Sequence, residues 1–161
     1  MAEAGAPNAA RVLDRTDLGR FAESYAVVDA ELESPQYEAA RVHLQDLLNQ
    51  RAAALGRQEK FEPAEVRTMF ANASPATRAV ALGLMKGDPS LADGATILAA
   101  IADPRTPSEH DQGLELAKLC WPHLSRPYRS AIQSVIGENA AAEPDSNRRR
   151  MAAEVRALPV T

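Results

Sequence analysis

The chain has 161 residues, 45% of them apolar and 25% charged, the proportions of one soluble domain of ordinary size or slightly more. Alanine takes 32 positions, Val, Ile and Thr together take 19, and aromatic residues make up 4%. The residue types that strands prefer are scarce, which disfavours a β-sandwich or a Rossmann-type sheet and leads us to expect an all-α fold. The net charge of −4 is unevenly spread: residues 1–125 carry 12 basic and 18 acidic side chains, residues 126–161 carry 6 and 4, so only the last stretch is net basic.

Prolines mark the helix starts. Ser34-Pro35, Glu62-Pro63, Ser74-Pro75, Asp88-Pro89 and Thr106-Pro107 each set a residue that can cap a helix before a proline whose fixed φ and missing N–H suit the first helical position. Thr106-Pro107-Ser108-Glu109 adds a capping box. Residues 1–15 are expected to form a flexible tail. A first helix is expected over 17–33, capped by Thr16, with Leu18, Phe21, Tyr25, Val28 and Leu32 on one face. A second, over 35–55, presents Tyr37, Ala40, Leu44, Leu47, Leu48 and Leu55 and is expected to stop at Gly56.

A short helix follows at 63–72, where Phe61 can staple onto Val66. Helices at 75–87, 89–102, 107–121 and 126–137 are joined by connections short enough to turn each back on the last. The 75–87 helix carries Val80, Ala81, Leu82, Leu84 and Met85 around most of its circumference, the pattern of a helix at the centre of a core. We expect 16–137 to be one all-helical domain, a compact stack or bundle of about seven antiparallel-connected helices. Residues 138–145 read as a linker, and 146–158 as a basic amphipathic helix with Met151, Val155 and Leu158 on its apolar side.

An internal repeat is faintly visible. Ser74-Pro75 followed by Leu82, Leu84 and Lys86 aligns with Thr106-Pro107 followed by Leu114, Leu116 and Lys118, an offset of 32 residues. Stacked helical repeats would present a concave binding face. Two capped helices rich in alanine and leucine align this well without common origin, and the signature residues of named repeats are missing.

Materials for catalysis are few. Cys120 and His123 make half a metal site, with Pro122 between them and only His110 and His43 elsewhere to complete it. As a nucleophile Cys120 is placed at a helix C-terminus, whose partial negative charge disfavours a thiolate. Ser108, His110 and Asp111 bring a hydroxyl, an imidazole and a carboxylate together, but neighbours in sequence point to different sides of a helix. Glu109 and Asp111 suit the first turn of a helix, where acids complement its dipole. The glycines form no phosphate loop, and Asp93-Gly94 lacks the rest of a calcium loop. No catalytic residue, metal site or cofactor is assigned on these grounds.

Recognition of a partner has more to work with. Ser125-Arg126-Pro127-Tyr128-Arg129 and the run Arg148, Arg149, Arg150 put arginines, whose planar forks match phosphates and carboxylates, in the net-basic stretch. Tyr128 falls in register with Ile132 and Val135 and reads as core. The candidate partner-binding residues are Arg148, Arg149, Arg150, Arg126 and Arg129, with Trp121, Phe70 and Tyr37 as aromatic anchors, since large amphipathic side chains dominate interface energetics.

The reading is a non-catalytic protein-interaction module: an adaptor, scaffold or regulatory subunit with a protein partner. A nucleic-acid-binding regulator using the arginine-rich segment is the alternative, and a helical enzyme with a site not visible in sequence the second alternative. No apolar run reaches the ~20 residues of a membrane span. Met1–Asn8 lacks the basic start and apolar core of a signal peptide, and the single Cys120 has no partner for an internal disulfide, so a cytoplasmic setting is expected. Arginine outnumbers lysine 15 to 3, which with so much alanine fits a GC-rich, bacterial genome.

Overall fold

The computed structural model describes Leu18, Arg20, residues 23–25, Val27 and residues 35–72, 74–139 and 146–161. Among these the fold is all-α, without strands. A 3-10 turn (Pro35–Tyr37) leads into α1 (Glu38–Gln58), followed by α2 (Pro63–Asn72) and α3 (Pro75–Gly87). A second 3-10 turn (Pro89–Leu91) precedes α4 (Gly94–Ala102) and α5 (Pro107–Cys120); a third (Trp121–His123) precedes α6 (Arg126–Asn139), and α7 (Ser146–Arg156) comes last. The chain divides into two compact units, Met1–Leu91 and Ala92–Thr161.

In the first unit, α3 packs along α1 and against α2. Every residue from Arg78 to Met85 is buried, as the all-round apolar pattern predicts. The α1/α3 contact is made by small residues. A Cβ on Gly83 would lie 2.4 Å from the Asn49 carbonyl oxygen and 2.6 Å from the Ala52 Cβ; one on Gly56 would lie 2.5 Å from the Leu84 oxygen. Gly83 and Gly87 in α3, and Ala52 and Gly56 in α1, are four apart, so each pair shares a helix face and lets main chain touch main chain.

Asn49 locks this contact. It is buried, and its Nδ2 donates to the Ala79 carbonyl at 3.0 Å while its Oδ1 accepts from Lys86 Nζ at 3.4 Å. Arg78 is buried too, stacked 3.9 Å over the Phe70 ring and donating to the Phe70 carbonyl at 3.1 Å. Phe61 and Val66, the expected staple, are both buried. Leu18 and Tyr25 are helical and buried and Val27 is exposed, matching the expected face as far as it is described; Gln45 Nε2 donates to the Tyr25 hydroxyl at 3.2 Å. The rest of the expected 17–33 helix, its Thr16 cap and the 1–15 tail lie outside the described residues.

In the second unit, α4 packs on α5 and α6, and α7 packs on both α5 and α6. Gly113 serves close approach here, for its Cβ would meet the Ala100 Cβ at 2.9 Å. Ser74 accepts from the Thr77 N–H and Thr106 from the Glu109 N–H, so these two of the three Ser/Thr-Pro starts are capped as expected; Ser34 lies outside the described residues.

Several boundaries differ from expectation. Residues 35–37 form a 3-10 turn before α1, and α7 stops at Arg156, so Leu158 lies past its end. Helix α1 runs through Gly56 to Gln58: none of the described glycines has a positive φ, so Gly56 is present for close packing and the left-handed stop is not used. Helix α6 likewise passes through Gly137 to Asn139. The 89–102 helix is broken in two. The Asp88 carboxylate accepts from the Ser90 N–H and hydroxyl and holds one 3-10 turn, and the Asp93 carboxylate then caps a fresh helix by accepting from Thr96 N–H at 2.8 Å. Two capping acids five residues apart specify two starts, and the second begins the helix.

Candidate functional site

The basic helix α7 lies between α5 and α6. Arg148 meets Asp111, Glu154 meets Lys118 and Pro159 meets Trp121, at sequence separations of 37, 36 and 38; the near-constant offset means that α7 and the residues after it run parallel to α5. Gln133 meets Leu158 and Arg129 meets Val160, the opposite progression, so the same stretch runs antiparallel to α6. Met151 and Val155 are its buried apolar positions, a period-four pair that faces the other two helices.

The arginine run is divided by the helix itself. Arg148 Nε donates to Asp111 Oδ1 at 2.6 Å, with Nη2 3.5 Å from Oδ2, and its side chain is only 12% exposed. Arg149, one step of about 100° further round, is exposed. Arg150 is 68% exposed, donating to Asn147 Oδ1 at 2.7 Å and lying 3.7 Å from Glu154. Arg156, two turns beyond Arg149, is exposed on the same side, and so are Ala153 and Ala157. Glu154 is the sole acid of residues 146–161. A hydrogen bond from Lys118 and the charge of Lys118, with a further pull from Arg150, hold its carboxyl below the usual carboxylate range.

The other candidates are placed as follows. Arg126 is exposed at the start of α6. Arg129 is half-buried, and its fork donates to three carbonyls: Trp121 at 2.9 Å, Pro122 at 3.1 Å and Val160 at 3.2 Å. Trp121 is buried with its indole N–H given to the Pro159 oxygen at 2.6 Å, and Phe70 is buried beneath Arg78. Tyr37 is 39% exposed, at the residue before α1.

Tyr128 corrects its reading as core: it is 37% exposed, and its ring lies over the bare backbone of Gly94, where a Cβ would sit 2.3 Å from Cδ2. The buried line of α6 is instead Ile132 and Ile136. Arg156 and Gln133 take part in this region without having been singled out, while Asp111, read as a first-turn acid, and Lys118, noted only in the repeat, turn out to hold α7. Arg156 stands seven residues after Arg149, a spacing that was available to find it.

The pieces of a catalytic or metal site are not brought together. The Asp111 carboxylate is committed to Arg148, Cys120 is buried with its thiol pKa pushed up by desolvation, and His123 and His43 are exposed. Among the described residues no group of three His, Cys, Asp or Glu side chains could hold a metal ion, and no helix is long and apolar enough to cross a membrane. Comparison with protein families, with characterised proteins and with solved structures finds no match.

Proposed function

We propose that the chain is a non-catalytic, cytoplasmic protein-interaction module that docks an acidic surface of a protein partner on the outward face of α7. The observation that carries this is the division of the arginine run: Arg148 is spent on holding the helix to α5, which leaves Arg149, Arg150 and Arg156 facing outward on a fixed support. Residues 146–161 hold four arginines against one glutamate, a local charge of +3 on a chain that is negative overall. A rigid set of guanidinium forks, with Ala153 between Arg149 and Arg156 and Ala157 beside Arg156, suits carboxylates, which accept two parallel N–H bonds from each fork. The alanines let a partner's main chain come close.

The test is charge reversal in the full chain. Arg149→Glu with Arg150→Glu is expected to lower the melting temperature only slightly, because exposed pairs contribute little, and to weaken capture of a defined acidic partner by about tenfold or more. Equal recovery by both forms would end the reading. Binding of random-sequence DNA or RNA that falls steeply with salt would replace it with the nucleic-acid alternative.

A further inference from the structure

Helix α7 shows the solvent two unlike edges with a low strip between them. At about 100° per residue, Arg149 and Arg156 stand within about 20° of each other round the helix and form one edge, while Arg150, about 100° further round, forms the other. Ala153 and Ala157, both exposed, fall between the two. Met151 and Val155 are buried on the opposite side. The edges are not equally available. Arg150 donates to Asn147 Oδ1 and lies 3.7 Å from Glu154, whereas among the described residues neither Arg149 nor Arg156 is paired with a carboxylate. The available edge is therefore two guanidinium forks whose Cα atoms are about 10 Å apart along the helix.

The form of an occupant follows from the strip and from the main chain. The N–H and C=O groups of α7 are spent inside the helix, so an extended segment laid on this face would find no ladder to join, and its own main-chain groups would lose water without gaining partners. A second helix arrives with its main chain already satisfied. Ala153 and Ala157, four apart, let its axis come to about 8 Å, the close end of helix packing. The arginine stems then lie along its flank with their forks at its surface. Seven residues also bring two side chains back to one flank of the incoming helix, so one element meets both forks.

We infer that the occupant of this face is an acidic α-helix lying along α7, with small side chains against Ala153 and Ala157 and two carboxylates seven residues apart, one for Arg149 and one for Arg156. The inference rests on the reading of this face as the site of an acidic protein surface and names the form that surface takes.

The probes are three acetylated, amidated peptides of equal length and charge, built on alanine and glutamine with two glutamates each. In the first the glutamates are seven apart. In the second they are five apart, which turns one of them about 140° off the flank. The third keeps the spacing of seven and carries a central proline, which breaks the helix. Binding to the full chain is followed by the amide resonances of α7. The first peptide is expected to bind about fivefold or more tighter than the other two at low salt, and Arg149→Gln with Arg156→Gln should remove that advantage. Equal binding by all three, lost in the arginine variant, overturns the helix and leaves the acidic-surface reading standing. Undisturbed α7 resonances with every peptide at millimolar concentration overturn both. The ranking of the peptides is made on the wild-type chain and does not depend on how the variant folds.

Discussion

The α1/α3 pair of the first unit and the mount of α7 in the second solve the same problem, fixing a helix to its neighbours, by opposite means. Between α1 and α3 the contact is main chain against main chain, with Gly56, Gly83 and Gly87 leaving no room for even a methyl group. Helix α7 buries Met151 and Val155 and is further fixed by long polar side chains: Arg148 to Asp111, Lys118 to Glu154, and Gln133 to the carbonyls at its end. Close packing tolerates no change and exposes nothing. A polar mount costs side-chain entropy, yet it holds a charged helix at the surface with one face free, which is what a docking element needs.

The sharpest way to separate the two is one substitution made in each. Gly83→Ala gains about 1 kcal/mol of helix propensity but drives a methyl group to within 2.4 Å of the Asn49 oxygen and 2.6 Å of the Ala52 Cβ. Neither atom is the end of a flexible side chain, so the helices must part. We expect a net loss of roughly 2 kcal/mol from overpacking, measured by urea denaturation. A gain in stability would mean that α1 and α3 separate at little cost and that the contrast drawn here is false.

Arg148→Ala comes second. It leaves Asp111 partly buried without its guanidinium partner, and since that carboxylate keeps 31% of its surface, solvent screening limits the loss to about 1 kcal/mol. The effect should be local: amides of α7 should lose protection while those of α1 and α3 keep theirs. Uniform loss across both units would show that α7 is integral to the whole molecule's stability.

How far these features can be seen in the sequence depends on how local their causes are. The starts of α2, α3 and α5 follow from a proline at the first helical position, and the Ser74 and Thr106 caps act within three residues. The burial of α3 follows from its own composition. Asp93 acts on Thr96 at the same three-residue spacing, but Asp88-Pro89 already marks a start five residues earlier, and the sequence reading runs one helix from there. Gly56 misleads because a glycine after leucines resembles a helix stop, and only the Leu84 carbonyl across the interface shows its purpose. The arginine run is the clearest case. Nothing near residues 148–150 says which of them turns inward, because the deciding carboxylate, Asp111, is 37 residues away.

Gly137→Ala, third, is the counterpart of Gly83→Ala. Residue 137 lies inside α6 and is exposed, and the nearest atom to its Cβ position is Arg156 Nη2 at 4.0 Å, the tip of a flexible side chain. Helix propensity acts alone there, so the variant should be more stable by about 0.5–1 kcal/mol. The same chemical change thus has opposite signs in the two units. Destabilisation at 137 would reveal a packing role for this glycine.

The smallest effect concerns the Lys118–Glu154 pair, and pH isolates it. Its carboxyl titrates lower in the folded chain than the ordinary value of 4.5, first because Lys118 donates a hydrogen bond to it and then because of the Lys118 and Arg150 charges. A carboxyl lowered on folding contributes stability above its unfolded pKa and loses that contribution as pH falls through the folded value. Glu154→Gln should therefore lower the melting temperature slightly at pH 7, less so at high salt, and the two proteins should converge in acid, where wild-type Glu154 is itself protonated. A difference that survived in acid would mean that residue 154 holds α7 by packing. Convergence would show that this part of the mount is electrostatic and can be weakened by protonation while the glycine contacts of α1 and α3 stay as they are.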